Sequence, residues 1–295
     1  MPPISSFIYG GQEDIPMSQK YNVTDYYDSV AEQYDYQFYR KKDPYPTLRY
    51  RHAYFLELVD EEKFAPGATA LDIGCGPGEL VFDLSRRSFA TVGMDISVNM
   101  IQICKTKQER CHLSGPVIFS VGDIEQLPFP DESFDLVTAA GVVEYLTGDS
   151  LWSAELRRVL KPGGILILNV TNTLSIKRLT SPFLEPLKRN ETLFRLFNAV
   201  KRDVLKKGAL VRFPFQPRTH VPWEFDNFLR EKGFGTLAHR YFAFSILPYP
   251  FDTVMGFITI PVRRYLERYS SKNLPFLGTG YIVKARKEEA GGVTG

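Results

Sequence analysis

The stretch Ala70-Leu71-Asp72-Ile73-Gly74-Cys75-Gly76-Pro77-Gly78-Glu79-Leu80 constrains this 295-residue chain more than any other. An apolar run ends in an acid, three glycines follow at alternate positions, and a helical pattern begins at Glu79. The spacing predicts a strand, a tight turn and a helix. The glycines permit positive φ and remove side chains where a ligand must lie on the backbone. The free N–H groups that open the next helix face the same spot and favour an anionic group.

Beyond the turn, strand and helix patterns alternate, which predicts a parallel sheet with helices on both faces. Thr91 to Ile96 reads as a second strand ending in Asp95, where an acid can accept both hydroxyls of a ribose. The competing role, a helix N-cap, is weakened because Ser97 can cap the next helix itself. Val117 to Val121 is a third strand, followed by Gly122-Asp123-Ile124-Glu125; the fourth ends in Thr138-Ala139-Ala140-Gly141. A helix over about 150–160 leads to the turn Lys161-Pro162-Gly163-Gly164 and a fifth strand, Ile165 to Val170. A helix from Trp223 stops at Gly233, and two more strands cover about 236–244 and 279–286.

A glycine loop after a first strand also occurs in nicotinamide-dependent oxidoreductases, which use Gly-x-Gly-x-x-Gly. Here the spacing is Gly-x-Gly-x-Gly behind an acid, with acids after strands two and three and the Lys-Pro-Gly-Gly turn before strand five. This set resembles the class I S-adenosylmethionine (SAM) dependent methyltransferases of the ubiquinone/menaquinone-biosynthesis, small-molecule type. It is strong over 70–170 and weak over 21–60 and 220–286. The resemblance implies a doubly wound, Rossmann-like α/β fold: a seven-stranded, mostly parallel sheet with an antiparallel edge strand and an N-terminal helical cap. It also implies SAM as cofactor, held by Asp72, Gly74, Cys75, Gly76, Gly78, Asp95, Ile96, Asp123, Ile124, Ala140 and Gly141, and no metal. Tyr27 to Asp35 is similar to the family's cap helix, and Arg49 or Arg51 on the next helix is placed to pair with the cofactor carboxylate. Amino-methylating enzymes acting on bases carry Asn/Asp-Pro-Pro-aromatic after strand four. Ala140-Gly141 is the small-molecule version, so a small-molecule acceptor is expected and no nucleic acid. Glu144, Tyr27 and His220 are the candidates to contact the acceptor or remove its proton; each has a plain structural alternative. Two rival functions remain, the nicotinamide-dependent oxidoreductase and a non-catalytic SAM-binding partner subunit.

Three cysteines without a CxxC pair, a net charge of +2 and no signal-peptide core set the expectation of a reduced, cytoplasmic protein. The domain reading is a tail over 1–20, a helical cap over 21–60, a SAM-binding core over 61–170, a basic helical insertion over 171–220, and the rest of the core over 221–287. A lid-like insertion over 245–277 interrupts that last part. It carries the apolar run Val254 to Val262 and a basic end, Arg263 to Tyr269. A lid over an amphiphilic acceptor, an interfacial helix making peripheral membrane contact, and a packing insertion covering the sheet edge all fit this pattern.

Overall fold

The computed structural model describes residues 18–36, 42–180, 190, 192, 217–248 and 251–289. Two helices precede the sheet, α1 (Ser18–Asp35) and α2 (Thr47–Asp60). Helix α1 begins inside the stretch read as a tail; residues 1–17 lie outside the described residues. The apolar runs then form β1 (Thr69–Ile73), β2 (Ala90–Asp95), β3 (Val117–Val121) and β4 (Phe134–Ala139), all parallel to their neighbours. Crossover helices α3 (Glu79–Arg86), α4 (Val98–Gln108) and α5 (Ser150–Val159) link them and lead into β5 (Leu160–Asn172). The Pro-Gly-Gly turn sits inside β5 as an irregularity, since Phe134 pairs Leu160 while Leu136 already pairs Ile165. After β5 come α6 (Ile176–Leu179), β6 (Thr219–His220), α7 (Pro222–Glu231) and β7 (Phe234–Phe244). The chain closes with α8 (Phe251–Val254), α9 (Gly256–Leu266), a 3-10 turn at Glu267–Tyr269 and β8 (Gly278–Lys287).

The sheet order is β3-β2-β1-β4-β5-β8-β7. Its strand that runs against the rest, β8, lies one place in from the edge and is antiparallel to both β5 and β7. The order reverses between β1 and β4, and in such sheets the crevice at the carboxyl ends of those strands is where ligands bind. Both faces are covered, so β5 reads as a continuous apolar run rather than an alternation. Leu166, Leu168 and Val170 pack with Trp152 of α5 and Phe225 of α7, while Ile165 and Ile167 pack with Phe55 and Leu58 of α2 and Leu84 of α3.

The short strand β6 was not foreseen. It pairs in parallel with Thr171 and Asn172 at the end of β5, whose other edge is taken there by β8. Strand β4 pairs β5 only as far as Ala139–Leu168, so β6 occupies the edge that β4 has vacated, above the crevice. Residues 181–189, 191 and 193–216, most of the basic insertion read over 171–220, lie outside the described residues, as do residues 290–295. Among the described residues no helix is long and apolar enough to cross a membrane.

Candidate active site

Glycines 74, 76 and 78 all have left-handed φ, of 61°, 50° and 85°, a conformation that a Cβ penalises. Their spatial demands differ. A Cβ on Gly74 would collide with the Val142 side chain, and one on Gly78 would come within 2.9 Å of Cys104 Sγ. A Cβ on Gly76 would meet nothing within 4 Å. The first and third glycines let the loop pack. The middle one leaves open space over the backbone.

That space belongs to a cavity at the carboxyl ends of the strands. Its floor is Gly74 and Gly76, and its side walls carry Asp95 with Ile96 after β2 and Asp123 with Ile124 after β3. Ala140 and Gly141 after β4 line it too, and Tyr27 and Tyr34 of α1 cover it. A rear lobe shares Tyr34, Gly74, Gly76 and Ala140 with this front lobe and adds Arg51, His52, Asp72 and Cys75. The sequence therefore brought together every expected cofactor residue but one. Gly78 lines neither lobe.

Asp95 is buried and holds the loop as well as facing the cavity. Its Oδ2 accepts the Gly76 N–H at 2.8 Å and its Oδ1 the Ser97 N–H at 2.9 Å. Ser97 itself caps α4 through Met100 N–H, which counts against the N-cap role for Asp95. Ile96 N–H is a further backbone donor to the Asp95 carboxylate, which still leaves acceptor capacity on it, so loop anchoring and ribose binding are compatible. Burial raises the Asp95 pKa against those backbone hydrogen bonds. Asp123 closes a local turn by accepting the Glu125 N–H at 3.0 Å, and buried Ile124 follows it on the wall.

The rear lobe has paired opposite charges. Asp72 is fully buried, accepts the Thr138 hydroxyl at 2.6 Å, and is pushed up to about 7 by that burial. Arg51 hydrogen-bonds the Tyr34 hydroxyl and lies where a Cβ on Gly141 would collide with it. Gly141 is thus small because a guanidinium passes over it. Of the two arginines weighed from sequence, Arg51 lines the lobe and Arg49 is exposed on the surface. His52 lines the lobe as well and pairs with Asp83 at 2.7 Å.

This donor set fits SAM. The open backbone at Gly76, the carboxylates of Asp95 and Asp123 and the apolar Ile96 and Ile124 match a nucleoside, while Arg51 and Asp72 match a carboxylate and an ammonium. Among the described residues no cluster of His, Cys, Asp and Glu could hold a metal ion.

On the acceptor side, Tyr27 and Tyr145 line the front lobe with their rings 5.9 Å apart and their hydroxyls hydrogen-bonded. Burial raises the pKa of both, so they remain neutral hydroxyls. Glu144 is buried out of the lobe, 3.4 Å from Asn169 Nδ2, and burial raises its pKa against the attraction of Arg51 and Arg178. Arg178, on α6, escaped the sequence reading; burial lowers its pKa while Glu144 and Tyr145 oppose that shift. No local spacing signals it, because Glu144 and Tyr145 lie far back in the chain. His220 lines neither lobe. Its Nε2 is 3.2 Å from Asp149 Oδ2, its ring abuts Phe225, and Asp149 also pairs with Arg218. Despite the desolvation of its burial, hydrogen bonds with His220 and Arg218 hold Asp149 well below the usual carboxylate range. That knot, with Arg218 N–H on the Glu144 carbonyl at 2.7 Å, fixes β6 over the loop after β4.

Residues 71–168 match the family model described as a methyltransferase domain. A ubiquinone/menaquinone biosynthesis C-methyltransferase, UbiE, of Geobacter sulfurreducens is 31% identical over 191 residues, covering 62% of this chain and 71% of that relative. Among solved structures, the [4+2]-cyclase SpnF is 20% identical with a TM-score of 0.59, covering 96% of this chain and 100% of that one. Magnesium protoporphyrin IX methyltransferase (ChlM) of Synechocystis PCC 6803, solved with S-adenosylhomocysteine (SAH), is 17% identical with a TM-score of 0.57, covering 92% and 100%. The two structures speak for the fold alone. The relative's identity over most of its length, together with the matched domain, shows that this chain belongs to the class I SAM-dependent methyltransferases.

Proposed function

We propose that this methyltransferase modifies a small amphiphilic acceptor with a flat, hydroxylated ring, which enters the front lobe against Tyr27 and Tyr145. The observation that carries the reading is that hydrogen-bonded pair of tyrosines on an otherwise apolar wall, with Val142 and Leu146 beside it. Ring carbon is the first acceptor atom to test, because the similar UbiE of Geobacter sulfurreducens is a C-methyltransferase.

SAM, when bound, supplies a methyl group already activated by its sulfonium, so no metal or covalent intermediate on the protein is needed. The residues of the chain then position the acceptor and manage one proton. Alignment at about 3–3.5 Å can lower the barrier by roughly 7–11 kcal/mol. Tyr27 and Tyr145 orient an acceptor hydroxyl, and the cap α1 excludes water from the lobe. Glu144, buried outside the lobe but close enough to raise the pKa of both tyrosines, is the candidate sink for the acceptor proton, which reaches it through their hydrogen-bonded hydroxyls; its own raised pKa brings it nearer the range where a general base works. His220 contributes by fixing the wall.

The test is a mass-spectrometric screen with methyl-deuterated SAM and fractionated phenolic, quinol-type and lipid extracts. The expected result is one labelled methyl on an amphiphilic ring compound, lost in Glu144→Gln with SAH binding retained. Tight SAH binding with no labelled product from any fraction would favour a non-catalytic subunit and overturn the reading.

A further inference from the structure

Helix α9 is built inside out. With 3.6 residues per turn, Phe257, Ile258, Pro261, Val262 and Tyr265 fall on one contiguous arc of about 140°, and Tyr269 of the following 3-10 turn sets its ring 5.4 Å from that of Tyr265. Every one of them is exposed, Phe257 by 80%. The opposite side, turned to the protein, carries Gly256, Thr259 and Glu267, which are buried, and half-buried Ile260, Arg263 and Leu266, the last packed against the main core. A surface helix of a soluble domain normally shows the reverse polarity. The helix is held firmly in this orientation. Glu267 accepts the hydroxyls of Tyr45 and Tyr54, Arg263 stacks over the Tyr45 ring at 3.9 Å and donates to the Phe244 carbonyl, and Arg264 donates to the Pro44 carbonyl.

Charge is sorted in the same way. Between Phe251 and Lys272 both acids, Asp252 and Glu267, are buried, whereas Arg264, Arg268 and Lys272 are exposed. The outward face is therefore apolar, aromatic and purely cationic. Helices with that combination lie in the interfacial plane of a bilayer, aromatic rings at the headgroup level and arginines reaching the phosphates. A second copy seated on this face would oppose like charges with no exposed acid from this segment to offset them.

We propose that the exposed face of α9 docks this protein on an anionic membrane surface. Its use, collecting an amphiphilic acceptor from the bilayer, rests on the acceptor class proposed above; the docking itself does not. The anchorage at Pro44 and Tyr45 lies just before α2, the helix that carries Arg51 and His52 into the rear lobe, so a docked α9 fixes the cofactor crevice relative to the lipid.

The experiment is flotation of the full chain, without SAM, with vesicles of phosphatidylcholine alone and of phosphatidylcholine with about one-third phosphatidylserine. Binding is expected on the phosphatidylserine vesicles at low salt and should weaken as salt shortens the Debye length. Arg268→Gln with Lys272→Gln should reduce it about 30-fold, taking about fivefold per cation near such a surface. Phe257→Ser with Ile258→Ser should abolish it, and Arg110→Gln in the turn after α4 should change nothing. A thermal shift with SAH verifies that each variant is folded. Equal binding to both vesicle types, or wild-type binding by both double variants, overturns the proposal. So does a dimer in sedimentation that Phe257→Ser with Ile258→Ser dissolves while vesicles capture nothing. Loss of the acceptor reading would leave vesicle binding untouched, which keeps the two failures apart.

Discussion

The crevice between β1 and β4 and the excursion from Phe244 to Gly278 lie at the same end of the sheet, yet they distribute polarity in opposite ways. In the crevice, carboxylates sit at strand ends facing a cavity, and the loop between them is almost all backbone. In the excursion, the polar groups are spent on holding it down and the rings face out. The first arrangement is demanding at each position, because a backbone cradle has no side chain to give way. The second is tolerant at each position and depends on a few anchors.

The largest test of that contrast is Gly76→Leu. SAH binding should vanish, because the side chain fills the cradle, while folding survives with about 1–2 kcal/mol of left-handed strain. Gly74→Leu should lose far more stability through its collision with Val142. Calorimetry and thermal melts separate the two; SAH binding by Gly76→Leu would break the comparison. Next, Asp95→Ala should weaken SAH by about 2–4 kcal/mol, at roughly 1.5–3 per charged hydrogen bond. It should also speed amide exchange at Gly76 and Ser97, whose acceptor is lost. Faster exchange with unchanged affinity would confine Asp95 to anchoring the loop.

Tyr45→Phe tests the tolerant side. It removes a donor to Glu267 and an acceptor for the Phe244 N–H, for an expected loss of about 2 kcal/mol with SAH affinity unchanged. An altered SAH affinity would mean that the two regions are coupled. The smallest effect is a pH dependence. Burial pushes Asp72 up to about 7, so below that pH the free folded protein holds a proton that its unfolded chain releases above about pH 4. Folding stability from this group is therefore greatest at low pH and falls as pH rises towards 7. If ionised Asp72 receives the ligand's ammonium, SAH affinity changes the other way, about tenfold weaker at pH 6 than at its plateau above 7. Asp72→Asn should flatten the affinity profile, and an unchanged slope would remove Asp72 from the ligand's amino end.

What was legible in the sequence follows the same divide. The glycine loop and the acids after β2 and β3 announce themselves because their chemistry depends on immediate neighbours: a positive φ, a strand end, a turn. The choice of Arg51 over Arg49, made where Arg51 packs over Gly141, and the nearness of Arg178 to Glu144 are products of packing between distant segments, and no local spacing encodes them. His220 carried a recognisable position before the α7 proline, but its partner Asp149 lies far back in the chain and decides what the ring does. The apolar run of 254–262 was visible as well; which side of its helix meets the protein depends on Tyr45 and Tyr54 far upstream.

The placement of β8 beside β7 has a consequence for how such a chain can change over time. Phe244 and Gly278 are register partners, and the Ser245 N–H donates to the Leu277 carbonyl at 2.8 Å. Everything between them is thus a hairpin loop closed at its stem. Insertions, deletions or wholesale replacement there leave the pairing of β7 with β8 in place. The segment can therefore vary in length and surface chemistry while the methyl-donor chamber keeps its frame.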